Sequence, residues 1–320
     1  MSAYQKQVPM RIQARAGSKV EQAYFAKSGL PGLDWPMPRA IAPDIAPAPM
    51  EDLIFHGGKV VPHMEFQNIY LGGTGSWTQS DVQFIDDTIQ HAMEHKQMNN
   101  VMQQYFPGAK LACEMRPSIF LSQSKPARLT DKQIHDEVIA LLEAKHIADR
   151  DLDSCLFNLL LPAGTVLAFE DMSSLEGLGG YHSSLHVSRD GHERTLYFSA
   201  NAFSERLPDG QENGIVAFDQ SWKSVVATLY HEINEFRTDA DVNDAIEKND
   251  NDFLGWSSRR GREVGDQPIF QAGSKLNQVF KEISDRPRKV LLPVQLLYSN
   301  AVHGAEGPIA KPHAKAAELV

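Results

Sequence analysis

The 320-residue chain reads as an α/β (α+β) protein: a mixed, twisted sheet, one long helix carrying the functional motif, and a smaller, irregular C-terminal half. Three observations carry that reading. Short β-type runs alternate with helix-period stripes from residue 53 to residue 200, the order expected of a mixed sheet with helices packed on it. Bulky apolar residues then recur at Trp222, Val225, Val226, Leu229, Ile233 and Phe236, a single stripe on a wheel turning by about 100° per residue. An acidic stretch without periodicity, Asp239 to Asp252, follows that helix.

Taken in order, residues 1–50 carry Pro9, Pro31, Pro36, Pro38, Pro43, Pro47 and Pro49 and predict an extended arm lying on the domain or partly disordered. Leu53-Ile54-Phe55, the turn His56-Gly57-Gly58 and Lys59-Val60-Val61 suggest a hairpin. Phe66 to Leu71 is a strand closed by Gly72-Gly73-Thr74-Gly75, which lacks the Lys-Ser/Thr of a phosphate loop. Ser80 and Gln83 read as the capping box of a helix whose stripe is Val82, Ile85, Ile89 and Met93. Ile119 to Leu121 is a strand. Thr130 and Gln133 cap a second helix with Ile134, Val138, Leu141 and Leu142 inward. Cys155 to Leu161 is an apolar strand broken only by Asn158, and Pro162-Ala163-Gly164 ends it. Tyr181 to Val187 and Thr195 to Ala200 alternate around the hairpin signal Arg189-Asp190-Gly191. The long helix has Asp219 or Ser221 as its N-cap. A helix from Ser274, with Leu276, Val279, Phe280 and Ile283, precedes a last strand, Val290 to Tyr298. The organisation is an arm over 1–50, one domain over 51–305 and a flexible tail over 306–320.

Composition bounds the function. Apolar residues make up 42% of the chain and charged residues 22%, an ordinary globular balance. A net charge of −10 and a pI near 5.6, with no basic run, argue against nucleic acid or an anionic membrane as partner. Two cysteines, Cys113 and Cys155, exclude a disulfide framework and a Cys-based zinc site. There is no apolar leader and no run of 18 apolar residues. A soluble, cytoplasmic protein without a membrane span is therefore expected for the chain as it stands, secretion requiring a signal removed beforehand.

The chemistry concentrates in His231-Glu232-Ile233-Asn234-Glu235, on the long helix. Residues four apart on a helix sit one above the other, so His231 and Glu235 can grip one cation. They fall opposite the apolar stripe together with Thr238, and the small residues Ser224 and Thr228 leave room beside them. Glu232 then stands next to the metal as a free carboxylate, the position of the base in metal-assisted hydrolysis. The plain alternative is a solvated polar face on an ordinary amphipathic helix.

A series of short motifs extends the pattern: Phe55-His56-Gly57-Gly58, Leu161-Pro162-Ala163-Gly164, Gly180-Tyr181-His182-Ser183, His231 to Asp239 with Thr238-Asp239 closing it, Trp256, Glu263-Val264-Gly265-Asp266, and Gln295 to Ala301. In this order they resemble the EXORDIUM (phosphate-induced) protein family and its bacterial relatives, over roughly residues 53–302. The resemblance implies a zincin-like (metzincin-like) metallopeptidase fold built on a His-Glu-x-x-Glu helix. Two departures matter. Ala240 replaces the family's Pro after Thr-Asp, so the helix is expected to run a turn further, and the cysteines of secreted members are missing.

A third ligand must come from outside the helix pair. Asp241 has the spacing of a third protease ligand but lacks the turning Gly, since Thr238 stands there. Asp239 lies one turn beyond Glu235 and drifts off the His231 face. Glu263 and Asp266 are preferred, because Gly265 permits a bend that returns a carboxylate to the helix. His182 supplies either a nitrogen ligand or an oxyanion partner. Against these roles stand a salt bridge of Glu263 with Arg237 and a merely hydrogen-bonded His182. One His with two carboxylates neutralises a divalent cation, leaving less charge to acidify water than three His would. The donor set suits zinc first, with Mn²⁺, Fe²⁺ or Ca²⁺ tolerated. The expected reaction is attack of metal-activated water on a peptide or amide bond with Glu232 as base, the peptide held on an edge strand at Asn158–Leu161 or Tyr181–His186. The rivals are a non-catalytic binding module with a structural cation or polar network, and a metal-dependent biosynthetic enzyme acting on a small molecule.

Overall fold

The computed structural model describes residues 9–28 and 45–313. Pro31, Pro36, Pro38 and Pro43 of the expected arm, and residues 314–320 of the expected tail, lie outside them. At the centre is a six-stranded mixed sheet. Its strands are β1 (Ile12–Ala14), β2 (His63–Tyr70), β3 (Ala112–Phe120), β4 (Cys155–Leu160), β5 (Leu178–Arg189) and β6 (His192–Asn201), in the order β1-β5-β6-β4-β2-β3. The four strands β3, β2, β4 and β6 run parallel, and β5 and β1 are antiparallel to their neighbours. The β5–β6 turn is Asp190-Gly191, with φ of 51° and 77°. Both residues in the left-handed region are what a two-residue hairpin demands.

Seven α-helices occur among the described residues: α1 (Lys19–Ser28), α2 (Gln79–Glu94), α3 (Lys96–Met102), α4 (Asp131–Glu143), α5 (Ser221–Thr238), α6 (Val242–Lys248) and α7 (Asp266–Ala272). The two sheet faces bury separate cores. On one, Ile134, Val138, Leu141 and Leu142 of α4 pack with Phe157, Leu159 and Phe198. On the other, Ile85, Ile89 and Met93 of α2 and Val225, Val226, Leu229, Ile233 and Phe236 of α5 pack with Phe66, Leu156 and Leu160. Met98 and Met102 belong to that core, as packing residues. The alternation of Leu156, Phe157 and Leu159 between faces follows the two-residue period of a strand. The fold is thus mixed α/β with a central mixed sheet.

Local expectations fared unevenly. Thr130 caps α4 in a complete capping box with Gln133. The α2 cap is Thr78, which accepts from the Asp81 amide, so the helix starts one residue before Ser80. Helix α5 has Gln220 at its N-cap with no side-chain cap; Asp219 instead pairs with Lys223 at 2.7 Å. The hairpin expected over 53–61 does not form. Ile54–Phe55 pairs with Trp256–Ser257, and the Val61 amide donates to Arg237 O at 2.8 Å, because these backbones find distant partners before each other. The helix expected from Ser274 is a single 3-10 turn, Leu276–Gln278, followed by β7 (Phe280–Asp285), paired antiparallel with β8 (Val290–Gln295). The adjacent β8 satisfies that backbone and overrides a spacing that also fits a helix. In the arm, β1 and α1 are regular elements, since β1 completes the sheet edge.

Candidate metal centre

Helix α5 is buried from Ser224 to Thr238 on every side. Its apolar stripe faces α2, and the opposite face meets β5, β8 and the segment 263–266. No polar face is left in solvent, so the ordinary-amphipathic reading of the motif does not describe this helix. Its end is set at Thr238: Asp239 adopts φ −151°, its amide still donates to Glu235 O at 2.7 Å, and the chain turns away. The expected extra turn is absent because Gly255 crosses here. A Cβ on it would lie 2.1 Å from Thr238 O.

The structure brings His182, His231, Glu232, Glu235, Glu263 and Asp266 into one pocket, each at most 1% exposed. His231 Nε2 lies 3.1 Å from Glu235 Oε1 and 3.9 Å from Asp266 Oδ1. His182, from the middle of β5, places Nδ1 3.5 Å from Glu232 Oε2 and 3.8 Å from Glu235 Oε2, and Nε2 3.7 Å from Glu263 Oε1. Two groups of three donors, His182–Glu232–Glu235 and His231–Glu235–Asp266, each have ligand atoms within 4.8 Å of one another. Among the described residues, these histidines are the only ion-pair partners of these carboxylates.

Segment 263–266 is anchored by backbone. The Gly265 and Asp266 amides both donate to Glu235 Oε1 at 3.1 Å, and the Glu263 amide donates to Asp266 Oδ2 at 3.3 Å. Gly265 is required by proximity, since a Cβ there would lie 2.4 Å from His231 Nδ1. Gly180 on β5 makes similar room, since a Cβ there would lie 3.0 Å from Glu232 Oε1. Asp239 sits beside the pocket, not in it: its Oδ1 accepts from Gly255 N at 2.7 Å, and its carbonyl lies 3.3 Å from His182 Nε2. Asp241 accepts from Tyr197 and stands at the N-terminal boundary of α6 without a side-chain cap. The Glu263–Arg237 salt bridge does not form; Arg237 Nη1 donates to Asn99 at 3.0 Å.

The electrostatics follow from gathering acids in a dry volume. Burial, then the charge of Glu235, pushes the Glu232 carboxyl up to about 8, against the help of His182. Burial, with Glu235 again adding, holds Glu263, Asp266 and Asp239 well above the usual carboxylate range. Burial works against protonation of His231, but the charge of Glu235 beside Nε2 outweighs it and raises that ring. Many polar atoms here have no hydrogen-bond partner: His182 Nδ1, His231 Nε2, both oxygens of Glu232 and of Glu263, Glu235 Oε2 and Asp266 Oδ1. Unpaired buried polar atoms are costly and rare. Their convergence on common points, from nitrogen and oxygen donors alike, fits a divalent cation.

Comparison with protein-family models, curated proteins and solved structures returned no match. The site therefore rests on its own geometry.

Sequence reasoning overlooked several contributors. Gln295 on β8 accepts from His231 Nδ1 at 3.0 Å and donates to Gly265 O, linking ring and loop. Gln13 of β1 donates to Gln295 Oε1 at 3.1 Å, its side chain filling the space over Gly179. A polar row crosses the sheet from the position opposite His182: Ser199 donates to Asn158 at 2.8 Å, Asn158 to Asn68 at 3.0 Å, and Asn68 to Asp86 of α2 at 2.8 Å. The signal for it was Asn158, the lone polar residue in an otherwise apolar strand. The two expected edge strands differ. Asn158–Leu161 lies inside the sheet; in Tyr181–His186, which pairs with β6 on one side, only Tyr181 pairs with β1 on the other, and Ser184 O accepts from Asn243 of α6 at 3.2 Å.

Proposed function

We propose that the chain is a metal-dependent hydrolase of zincin-like build, related to the EXORDIUM-like proteins its motifs resemble. A divalent cation, zinc first with Mn²⁺, Fe²⁺ or Ca²⁺ as alternatives, would be held by His231, Glu235 and Asp266. When bound, such an ion polarises a carbonyl and lowers the pKa of water. The observation that carries this reading is that His231 Nε2 and Asp266 Oδ1, converging beside Glu235 Oε1, and both oxygens of Glu232 have no hydrogen-bond partner. In this reading Glu235 is positioned by two backbone amides, and Gln295 orients His231. Glu232 is the proton acceptor. Neither of its oxygens has a hydrogen-bond partner, and its raised pKa suits a base working near neutral pH. The substrate is a peptide or other amide. The full burial of the pocket favours a second reading, a structural cation in a binding module.

Glu232→Gln separates the two, because it keeps shape and a carbonyl oxygen while removing the proton acceptor. The expected result is unchanged occupancy at the His231 ion by elemental analysis, with hydrolysis of unstructured peptides lowered by about 10²-fold or more. Equal turnover in the variant refutes catalysis by Glu232. Purified protein without metal refutes the centre itself.

A further inference from the structure

We infer that the pocket holds two divalent cations bridged by the Glu235 carboxylate, the second taken by His182, Glu232 and the far oxygen of Glu235. This inference rests on the metal-centre reading above and extends it to a paired site. The two donor groups share only Glu235, and each meets a different oxygen of it: Oε1 faces His231 and Oε2 faces His182.

The hydrogen bonds decide which nitrogen of each ring is available. Gln295 Nε2 donates to Gly265 O, so its Oε1 is the acceptor and His231 Nδ1 must carry the hydrogen. In the neutral ring that binds a cation, His231 Nε2 is then the lone pair, aimed at Glu235 Oε1 and Asp266 Oδ1. On the other ring, His182 Nε2 faces the Asp239 carbonyl, which only accepts, so the hydrogen sits on Nε2. His182 Nδ1 is therefore also a lone pair, facing Glu232 Oε2 and Glu235 Oε2 with no hydrogen-bond partner. Each ring thus points an acceptor at two further acceptors, an arrangement that a cation between them makes favourable. A backbone carbonyl or side-chain oxygen fixing the far nitrogen of a metal-binding His is the usual supporting contact.

Paired catalytic ions are typically about 3.5–4 Å apart, a span one carboxylate bridges. Glu232 keeps its proposed role as base in this arrangement, since Oε2 faces His182 while Oε1 turns to Gly180 without a partner.

The test is metal stoichiometry on the full chain. Chelator-stripped protein is reloaded with Mn²⁺, desalted and analysed for Mn per chain and by electron paramagnetic resonance. The expected result is about two Mn²⁺ per chain with an exchange-coupled spectrum, falling to about one with an isolated six-line spectrum in both His182→Ala and His231→Ala. One ion per chain in the unaltered protein overturns the paired site and leaves the single-metal hydrolase standing. No bound ion overturns both. His182→Ala that retains two ions overturns the ligand assignment. If the alanine variants do not fold, by circular dichroism, the spectrum of the unaltered protein decides: an isolated signal overturns the proposal and a coupled one supports it.

Discussion

Gly265 shows how closely single residues determine this pocket. Its α-carbon passes so near the His231 ring that an added methyl would stand 2.4 Å from Nδ1 and 2.7 Å from Cε1. Gly265→Ala must push the ring or the loop, and with either goes the alignment of His231 with Glu235 and Asp266. Disturbing the supports of a metal ligand typically costs about 10- to 100-fold in affinity. We expect a loss of that size in competition titration with a chelator. Gly75→Ala, where a methyl meets nothing within 4 Å, is the control and should leave affinity unchanged. Equal affinity in the two variants would count against His231 as a ligand.

Among the elements, α4 and α5 are stabilised in opposite ways. Helix α4 has a full capping box at Thr130 and Gln133 and packs only one face on the sheet. Helix α5 has no side-chain cap and is buried on all sides, so tertiary contacts rather than its own ends hold it. Thr130→Ala should therefore cost about 1 kcal/mol in a urea unfolding curve, the typical value of an N-cap, with metal content unchanged. A cost below about 0.3 kcal/mol would mean that α4 relies on packing as α5 does. Strand β1 works at the same scale: by pairing with β5 it places Gln13 against Gln295, tying the N-terminal segment to His231 through two amides.

For the whole molecule, the buried acids couple stability to metal. In chelated protein Glu232, Asp239, Glu263 and Asp266 have folded pKa values raised above their unfolded ones, as does His231. A raised folded pKa gives stability that is complete below the unfolded value and is lost as pH climbs through the folded one. Metal-free protein should thus melt at falling temperature from pH 5 to pH 8, the upper limit following from Glu232 at about 8. Burial lowers His56 and His95, which opposes the trend only in the lower part of that window. Bound cations replace those protons and should flatten the curve while raising it. A chelated protein whose melting temperature rises over this range would contradict the protonation of the pocket.

What the sequence determined by itself was local and periodic: the α5 stripe, the α4 capping box, the Asp190-Gly191 turn and the strands around Asn158, all set by neighbours within a few residues. His231, Glu232 and Glu235 were legible for the same reason, since one helical turn fixes their relation. Only the tertiary structure decided that Phe280 starts a strand, that Ile54 pairs with Ser257 and not with its own hairpin, and that β1 closes the sheet edge. It alone decided that His182, Glu263 and Asp266 meet the helix while Asp239 and Asp241 turn aside. Backbone hydrogen bonds and close-packed glycines between segments far apart in the chain made those choices, and their energies are not written in any single window of residues.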